Sequence, residues 1–399
     1  MIKSNVLVLN CGSSSVKFAI IDSVSGENIL TGLVERIATK EASMQWKYKG
    51  NKETRTLPDV DYRSALQLVI NDVLKIDDLF AGIVAVGHRV VHGGEEFTSS
   101  VLINSEVLDS IRKCGHLAPL HNPANVIGIE EAIKAFPQLP QVAVFDTAFH
   151  QTMPEHAYIY SIPYEFYEEN QVRRYGFHGT SHKYISETAA TKLGISLDNS
   201  AFITAHLGNG CSATAILNGK SLDTSMGFTP LEGLMMGTRS GDLDPSIISY
   251  LVDTLGFDVH KIIDILNKKS GFLGVSGKSS DSREIEDGML AGDKRCKLAF
   301  EIFCYRLAKY IASLMVPLGR LDALLFTGGI GENSAHTRAR TLEWLQIFGF
   351  MLSEENNKNN GKSNNGIITA ANSKYIAMVV PTNEELAIAR EALKKAIKN

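Results

Sequence analysis

Two arginines and one histidine lie among glycines, a setting that suits the capture of a small anion. Arg89 precedes Val-Val-His-Gly-Gly, His178 lies in Tyr-Gly-Phe-His-Gly, and Arg239 lies in Met-Gly-Thr-Arg-Ser-Gly. An isolated arginine is usually solvated or ion-paired. An arginine set among glycines and apolar residues can instead donate two parallel hydrogen bonds to a carboxylate or a phosphoryl group. These three residues are therefore candidates for binding an anionic substrate.

Two carboxylates are further candidates, each with a structural alternative. Asp146 follows the apolar run 141–145 and so lies at the carboxyl end of a predicted strand, where the sites of α/β proteins gather. Capping of the next turn is an equally good interpretation of Asp146. Glu384 lies at the start of the last predicted helix, where a carboxylate also complements the helix dipole. His88 and His92 lack the helix and the glutamate that a zinc motif needs, so this pair predicts no metal site.

Three glycine-rich turns each follow or join apolar strand-like runs: residues 11–15 (Cys-Gly-Ser-Ser-Ser), 208–212 (Gly-Asn-Gly-Cys-Ser) and 328–334 (Gly-Gly-Ile-Gly-Glu-Asn-Ser). Backbone N–H groups in such turns can point at one phosphate, and small side chains let it approach closely. For either of the first two turns alone, a plain hairpin is an equally good interpretation. The three turns together favour phosphate binding.

Two rival phosphate-binding motifs fail on their spacing or context. The Gly-Lys-Ser triplets at 219, 277 and 361 lack the first glycine of a P-loop. Gly208-x-Gly210-x-x-Ala213 matches a relaxed dinucleotide fingerprint, but β-type residues and an Asn-Gly hairpin signal follow it where that fingerprint requires a helix. The sequence therefore argues against a P-loop NTPase and a dinucleotide-dependent oxidoreductase.

The elements that must position these groups alternate between strand and helix, the pattern of an α/β or α+β protein. Runs 6–10 and 16–22 predict strands, and the spacing within 61–74 predicts a helix. Asn122-Pro123 and Asp244-Pro245 each predict a helix start, the second helix ending at Gly256. Thr382-x-x-Glu385 predicts a capping box for a last helix that runs to about Ile397. The Asn-rich segment 354–366 predicts a surface loop.

An internal repeat links the first two glycine turns. Residues 9–20 align with residues 205–216, and three positions are identical: Gly12 with Gly208, Ala19 with Ala215, and Ile20 with Ile216. The identity is low, but the offset of 196 residues is half the chain. The repeat therefore predicts a duplicated domain.

The composition is that of a globular protein with the length for two domains, since the chain has 399 residues of which 44% are hydrophobic. With 40 Lys and Arg against 44 Asp and Glu, it has no basic excess for nucleic acid or an anionic membrane. No apolar run is long enough for a membrane span or a secretion signal, so we expect an internal, soluble protein. The five cysteines form no C-x-x-C pair. Cys11 alone lies in a glycine turn, where backbone donors could lower its pKa.

Six motifs occur in an order that resembles the acetate kinase (acetokinase) family over nearly the whole chain. They begin at Asn10 (NCGSSSVK), His88 (HRVVHGG), Phe145 (FDTAFH), Arg174 (RYGFHGTSH), His206 (HLGNG) and Gly328 (GGIGEN). The resemblance implies an α/β fold with two duplicated ribonuclease H-like (actin-like ATPase) domains around a nucleotide cleft. It implies a first domain of residues 1–149 plus 384–399, and a second of residues 150–383 that carries the adenosine site.

The resemblance also implies the reaction, which is the reversible transfer of a phosphoryl group from ATP to acetate, giving ADP and acetyl phosphate. A propionate or butyrate kinase of the same fold is the alternative. The expected metal is Mg²⁺, or else Mn²⁺, and the expected state is a cytoplasmic homodimer. Acetate is an anion at neutral pH and needs no general base, so alignment and fixed positive donors are the main requirement. We therefore expect Asp146 to orient a partner and not to remove a proton.

The family's roles carry over to this sequence by motif. The implied catalytic residues are Arg89, Asp146, His178 and Arg239, with Arg89 also binding the substrate carboxylate. The implied pocket for the acyl group is Val91, Leu120, Phe177 and Pro230. The implied metal-positioning residues are Asn10 and Glu384. The implied nucleotide-binding residues are Lys17, His206, Leu207, Gly208, Asn209, Gly210, Asp281, Ser282, Arg283, Gly329, Ile330, Gly331, Glu332 and Asn333.

Overall fold

A computed structural model describes residues 4–12, 14–119 and 121–397 of the chain. The chain divides into two compact units, one up to Phe149 together with the segment from Asn383, and one from His150 to Thr382. Each unit is built around a single β-sheet. Within the described residues, no helix is both long and apolar enough to cross a membrane.

The sheet of the first unit contains β1 (Asn5–Cys11), β2 (Val16–Asp22), β3 (Asn28–Glu35), β4 (Ser43–Tyr48), β5 (Asn51–Thr56), β6 (Ile83–Val90), β7 (Val101–Leu102) and β8 (Gln141–Phe145), in the order β5-β4-β3-β2-β1-β6-β8-β7. β1 and β2 form an antiparallel hairpin that pairs Asn10 with Lys17. β6 runs parallel to β1 and pairs Arg89 with Asn10. β8 runs parallel to β6 and ends just before Asp146. The topology therefore brings four candidate residues to one end of neighbouring strands.

Helices cover both faces of this sheet. They are α1 (Tyr62–Leu68), α2 (Ser105–Lys113), α3 (Asn122–Ala135) and, from the end of the chain, α15 (Glu384–Ile397). Leu7, Leu9 and Phe18 pack into a core with Leu66 and Val69, which stabilises the hairpin by apolar burial. A Cβ added to Gly87 of β6 would lie 2.8 Å from Ile388 Cγ2, so glycine is what lets α15 approach the sheet.

The sheet of the second unit contains β9 (Ala201–Leu207), β10 (Cys211–Leu217), β11 (Lys220–Thr224), β12 (Ala323–Thr327) and β13 (Ile376–Val379), in the order β11-β10-β9-β12-β13. The three hairpin-linked strands are antiparallel, and β12 and β13 run parallel to β9. The first unit's β3-β2-β1-β6-β8 has the same order and directions. The duplication predicted from the sequence repeat is confirmed.

The helices of the second unit are α4 (Glu155–Tyr158), α5 (Glu165–Asn170), α6 (Gly179–Leu193), α7 (Ser246–Asp253), α8 (Val259–Lys268), α9 (Gly271–Ser276), α10 (Ser282–Leu290), α11 (Lys294–Leu318), α12 (Gly328–Asn333), α13 (Ala335–Trp344) and α14 (Glu354–Lys358). Residues 225–245, which include Arg239, form an irregular segment between β11 and α7. Backbone bonds such as Met236 N–H to Arg239 O, at 3.1 Å, hold that segment in a defined turn.

The predicted strands are confirmed. The segment 61–74 is helical as predicted, but the helix type changes within it, because Val69–Val73 continues α1 as a π-helix. The helix predicted at Asp244-Pro245 is present but begins one residue later than predicted, at Ser246. Asp244 Oδ1 accepts from Ser246 N–H, and left-handed Gly256 (φ 67°) follows the last turn.

Two predicted N-caps are wrong. α3 begins at Asn122 itself, with His121 as the cap, because the Asn122 amide binds the backbone of His92 instead. Asn383, and not Thr382, caps α15: its Oδ1 accepts from Leu386 N–H at 2.9 Å, while the Thr382 hydroxyl is bonded to Ser181.

The Asn-rich segment is more than a surface loop. It contains α14, and Asn357 is buried within it. Asn357 Oδ1 and its backbone oxygen accept from Arg338 Nε and Nη2, both at 2.8 Å. Arg338 is fully buried, and burial lowers its pKa to about 10. Arg338 Nη1 in turn donates to Gly331 O at 2.9 Å, so this segment supports the third glycine turn.

Candidate active site

In the first unit, the geometry centres on the guanidinium of Arg89. Arg89 Nε donates to Asp146 Oδ1 at 3.0 Å, and Nη2 donates to Asp146 Oδ2 at 2.6 Å. Nη1 donates to Asn10 Oδ1 at 3.1 Å. Burial opposes the charge of Arg89, but the carboxylates of Asp146, Glu384 and Glu385 outweigh burial and raise the pKa of Arg89. The arginine is therefore fixed in its charged form.

Glu384 lies close to this pair at the start of α15. Its Oε1 is buried and has no hydrogen-bond partner among the described residues. Burial raises the pKa of Glu384 to about 7, against a lowering by Arg89. A buried carboxylate oxygen without a donor is costly unless a cation or a proton reaches it. Glu384 therefore has a carboxylate oxygen that is available to a cation or a proton.

Two buried asparagines hold the chain that follows Arg89, and sequence reasoning missed both. Asn122 Oδ1 accepts from His92 N–H at 3.1 Å, and Asn125 Oδ1 accepts from Val91 N–H at 3.0 Å. Asn125 Nδ2 also donates to Cys11 O at 2.7 Å, which ties the first glycine turn to the same helix. The sequence did contain a signal for this role, because two asparagines three residues apart in the first turn of a predicted helix can reach a neighbouring backbone.

The residues expected to surround the acyl group divide between the units. Val91 belongs to the first unit and is buried, with 7% of its surface exposed. Phe177 and Pro230 belong to the second unit, where Phe177 is buried and Pro230 is partly buried. Pro230 O accepts from Arg239 Nη1 at 3.4 Å. Leu120 lies outside the described residues.

Cys11 corrects one expectation. Its thiol is buried, and burial raises its pKa to about 11, despite a lowering by a hydrogen bond from Tyr62. The expected activation by backbone donors is therefore wrong. A Cβ added to Gly128 would lie 2.5 Å from Cys11 Sγ, so Cys11 is a packing residue beneath α3.

In the second unit, His178 and Arg239 converge on the second glycine turn. A Cβ added to Gly210 would lie 3.4 Å from Arg239 Nη1 and 3.5 Å from His178 Nε2. His178 precedes α6 with a left-handed backbone (φ 57°), a strained state that a non-glycine residue adopts only when its surroundings hold it. Its Nδ1 is 2.9 Å from Ser212 Oγ. The turn therefore has an arginine N–H and an imidazole nitrogen beside it.

His206 is held by a second set of polar bonds. Its Nδ1 is 2.8 Å from Ser181 Oγ, and Ser181 Oγ is 2.9 Å from Thr382 Oγ1. Thr382 N–H donates to Glu332 Oε1, which also accepts from Gly328 N–H at 3.0 Å. These bonds connect the second and third glycine turns within one unit.

A cavity of about 590 Å³ opens between these turns and α10, lined by Gly208, Asn209, Ser280, Asp281, Ser282, Arg283, Glu286, Gly329, Ile330, Asn333 and Ser334. This is the size of a site for a small organic ligand. It gathers eight of the residues predicted to bind nucleotide. Gly331 and Glu332 do not line it, because they face the loop's own supports. Ser280, Glu286 and Ser334 were not among the predicted nucleotide-binding residues, although Ser334 belongs to the third glycine turn.

The other predicted nucleotide-binding residues lie at the surface or at the end of a strand. Lys17 is exposed on β2 beside Asn10. Arg283 is largely exposed and pairs with Asp281, whose pKa this hydrogen bond lowers. Leu207 ends β9, immediately before the second glycine turn. Across the part of the chain that the structure describes, no group of three His, Cys, Asp or Glu side chains forms a metal cluster.

The chain is similar to known proteins both in sequence and in structure. A model of the acetokinase family matches residues 5–390. The acetate kinase of Shewanella woodyi is 56% identical over 391 residues, 98% of each chain. The crystal structure of a propionate kinase from Francisella tularensis has a TM-score of 0.94 at 50% identity, and that of Porphyromonas gingivalis acetate kinase has 0.91 at 44%. Both matches cover 98% of this chain and 99% of the other.

The duplicated sheets, the anion-binding groups and these neighbours define a phosphotransferase of the actin-like ATPase fold. Within that class, the chain belongs to the acetokinase family. The predictions of the α/β duplicated fold, of the family and of acetate kinase as the activity are confirmed.

Proposed function

We propose that this acetate kinase transfers the terminal phosphoryl group of ATP directly and reversibly to an acetate oxygen, through residues that align two anions. The observation that carries the proposal is the geometry of Arg89. An arginine has five N–H donors, of which Asp146 and Asn10 take three here. The other two, one on each terminal nitrogen, can bind a substrate carboxylate.

Asp146 acts as an orienting group in this proposal. Both of its oxygens are engaged by Arg89, and the carboxylate is almost fully buried. Acetate carries no proton to remove at neutral pH, so a general base would have no task. The bidentate pair instead fixes the plane in which Arg89 presents its remaining donors. This supports orientation over the acid-base role as the function of Asp146.

The second unit supplies donors to the phosphoryl group. Arg239 Nη1 and His178 Nε2 lie beside Gly210, so donors of both residues are near the turn expected to hold the phosphates. The phosphates would meet residues 206–210 of this unit, which are His206, Leu207, Gly208, Asn209 and Gly210. Lys17 of the first unit is proposed for the same role. Fixed donors that match developing charge accelerate phosphoryl transfer because they need no reorganisation during the reaction.

The residues present fit a magnesium ion, with Asn10 and Glu384 as its protein contacts and Mn²⁺ as a substitute. Glu384 Oε1 is buried without a donor, and a divalent cation would relieve that cost. Mg²⁺ commonly binds through one or two carboxylates together with water and substrate phosphates. When bound, the ion would neutralise charge on the transferring phosphate. Glu384 and Asn10 would hold and orient that complex.

The cavity of the second unit is the proposed adenosine site. Asp281, Ser282, Arg283, Gly329, Ile330 and Asn333 line it, while Gly331 and Glu332 would shape it from behind. The polar lining suits ribose hydroxyls and base edges, and the glycines leave room for a flat base.

We also propose that the enzyme is a cytoplasmic homodimer. Exposed apolar side chains on α7 and α8, among them Ile247, Tyr250, Val259 and Ile263, provide a surface that association would cover. Sedimentation analysis of the wild-type chain and of Tyr250→Asp tests this state. A wild-type monomer would contradict it.

The proposed order of acceptors is acetate first and propionate second, because a propionate kinase is among the close structural neighbours. Trapping the acyl phosphate with hydroxylamine, in the presence of Mg-ATP and each of acetate, propionate and butyrate, tests the proposal directly. We expect acetate to have the highest kcat/KM, propionate a lower one and butyrate the lowest. A preference for propionate would reassign the substrate, and no hydroxamate with any acid would overturn the function.

Val91 is the residue of the first unit expected to limit acyl length. Val91→Ala should narrow the difference in kcat/KM between acetate and propionate without changing the KM for ATP, since the smaller side chain leaves space for a methylene. An unchanged acid profile would make Val91 a core residue only.

A further inference from the structure

We infer that Ser212 is a positioning residue whose hydroxyl holds His178 as a neutral imidazole with its proton on Nε2. The inference rests on the proposed function, since it explains how His178 can donate to a phosphoryl oxygen. It concerns Ser212, His182 and Thr204, none of which has a role in the proposed mechanism.

The observation is a continuous chain of short hydrogen bonds inside the second unit. Thr204 Oγ1 is 2.6 Å from His182 Nδ1, His182 Nε2 is 2.7 Å from Ser212 Oγ, and Ser212 Oγ is 2.9 Å from His178 Nδ1. Thr204, His182 and Ser212 are fully buried, and they lie on β9, α6 and β10. Three elements of the core therefore converge on one ring nitrogen of His178.

The chain has a direction, because a neutral imidazole has one donor and one acceptor nitrogen. If Thr204 donates to His182 Nδ1, then His182 Nε2–H donates to Ser212, and Ser212 donates to His178 Nδ1. The three bonds are 2.6–2.9 Å in either direction, so the end of the chain at Thr204 decides between the two. In the opposite direction the Thr204 hydroxyl would have to donate to Thr214 O at 3.4 Å, beyond the usual range of such bonds. The first direction makes Nδ1 of His178 an acceptor and places its proton on Nε2.

The groups around His178 favour the neutral ring. Burial lowers the pKa of His182 well below its ordinary value. His182 is therefore neutral and adds no charge to this chain of hydrogen bonds. The His206 ring stacks on His178 at 4.3 Å, and Arg239 Nη1 is beside the same glycine as His178 Nε2. A positive charge on His178 would lie near that of Arg239, so the neutral ring avoids a repulsion between like charges.

The consequence is functional. A histidine fixed with Nε2–H can donate to a phosphoryl oxygen without first binding a proton from solvent. Turnover should then be insensitive to the ordinary imidazole titration near pH 6.5. The hydroxyl that accepts from His182 and donates to His178 is the element that makes this possible.

Nitrogen NMR of the full-length wild-type chain, labelled with ¹⁵N-histidine, tests the tautomer without any assay of activity. His178→Gln identifies the signal of His178. We expect Nδ1 to have the shift of an unprotonated, hydrogen-bonded nitrogen and Nε2 that of a protonated one, from pH 8 to pH 6. A proton on Nδ1 of the neutral ring, or an imidazolium at pH 7, would overturn the inference.

Ser212→Ala tests the positioning role, with Ser186→Ala as the matched control. Ser186 is also a buried serine, but it lies on α6 and bonds only to the Lys183 carbonyl among the described contacts. We expect Ser212→Ala to lower kcat by about 10–100-fold, as removal of a group that orients a functional imidazole does in metal sites. The KM values for ATP and acetate should change less than about threefold, and Ser212→Thr should recover part of kcat.

The pH profile separates positioning from mere stability. In Ser212→Ala the remaining activity should become dependent on pH between 6 and 8, while Ser186→Ala keeps the wild-type profile. Equal kinetics in both alanine variants, or equal losses, would overturn the inference. Failure of Ser212→Ala to fold leaves the wild-type NMR result as the deciding measurement. Acyl hydroxamate formed by the wild type tests the proposed function separately, because it does not depend on the tautomer.

Discussion

The two units hold their functional nitrogens by different physical means. In the first unit, Arg89 is fixed by the carboxylate of Asp146 through two parallel bonds. In the second unit, His178 is fixed by a chain of neutral hydroxyl and imidazole groups. An ion pair keeps a cation charged and immobile in a buried place. A chain of neutral hydrogen-bonding groups fixes the orientation of the imidazole without adding charge where the phosphates must bind. The same duplicated fold thus fixes one functional side chain by an ion pair and another by neutral groups.

The largest expected effect comes from removing a charge directed at the phosphoryl group. Arg239→Ala should lower kcat by about 10³-fold, at the low end of the effect of an arginine on phosphoryl transfer. Arg89→Ala should instead raise the KM for acetate as well as slow turnover, and leave the KM for ATP little changed. Steady-state kinetics with each substrate varied separates the two. The exposed Arg36, which pairs with exposed Glu41, provides a control in Arg36→Ala. Identical patterns in the Arg239 and Arg89 variants would remove the distinction between the half-sites.

Next in size is the loss of the orienting carboxylate. Asp146→Asn should lower kcat/KM for acetate by about 10²-fold, more than Ser212→Ala lowers it, because a partly buried guanidinium loses its counter-charge as well as its orientation. The control Glu41→Gln breaks an exposed ion pair and should change kcat/KM by less than about twofold. If Asp146→Asn stays within threefold of wild type, Arg89 is held by other means.

The support of Arg338 tests whether neutral bonds also stabilise the second unit. Asn357→Ala should lower the free energy of unfolding by about 2 kcal/mol, since it removes one acceptor from a buried guanidinium. Thermal unfolding measures the loss, and a raised KM for ATP would show that the third glycine turn has moved. Asn364→Ala, at an exposed asparagine of the same segment, should be nearly neutral. A large effect in both variants would point to the segment as a whole and not to Asn357.

The smallest expected effect concerns the stability of the fold in mild acid, and both units should lose stability there. Burial lowers the pKa of His88, in the first unit, and of His150, in the second, to about 4. The stability from each neutral ring is present above pH 6.5 and is lost as the pH falls from there toward 4, because only the unfolded chain accepts the proton easily. At pH 5 each histidine should cost about 2 kcal/mol.

His88→Gln measures this directly. The decrease in Tm from pH 7 to pH 5 should be smaller in His88→Gln than in the wild type. His260→Gln, at an exposed histidine, should leave that decrease unchanged. A wild-type Tm that does not fall between pH 7 and pH 5 would contradict the burial argument.

The outline of the fold and most candidate residues were predictable because they depend on local pattern. Alternation of apolar residues identified β1 and β2, and the repeat at half the chain length identified the duplicated sheets. Glycines beside Arg89, His178 and Arg239 singled out residues that the structure places near turns and strand ends. Local sequence carries these signals because periodicity and turn chemistry act over a few residues.

Side-chain partners could not be predicted, because they are brought together over long distances in sequence. Asn122 and Thr382 looked like helix caps, yet each is bonded to a group elsewhere in its unit. Cys11 looked activated by its turn, yet burial beneath α3 raises its pKa. Asn357 looked like part of a solvated loop, yet it binds Arg338. In each case a local preference gave way to a tertiary contact.

By itself, the sequence determined which residue types were available for the chemistry and on which kinds of element they lie. The tertiary structure alone decided their state: Asp146 bound to Arg89, Glu384 buried without a donor, and His178 joined through Ser212 to His182. The physical reason is that charge, protonation and orientation depend on burial and on partners, which are set by folding and not by neighbours in the chain.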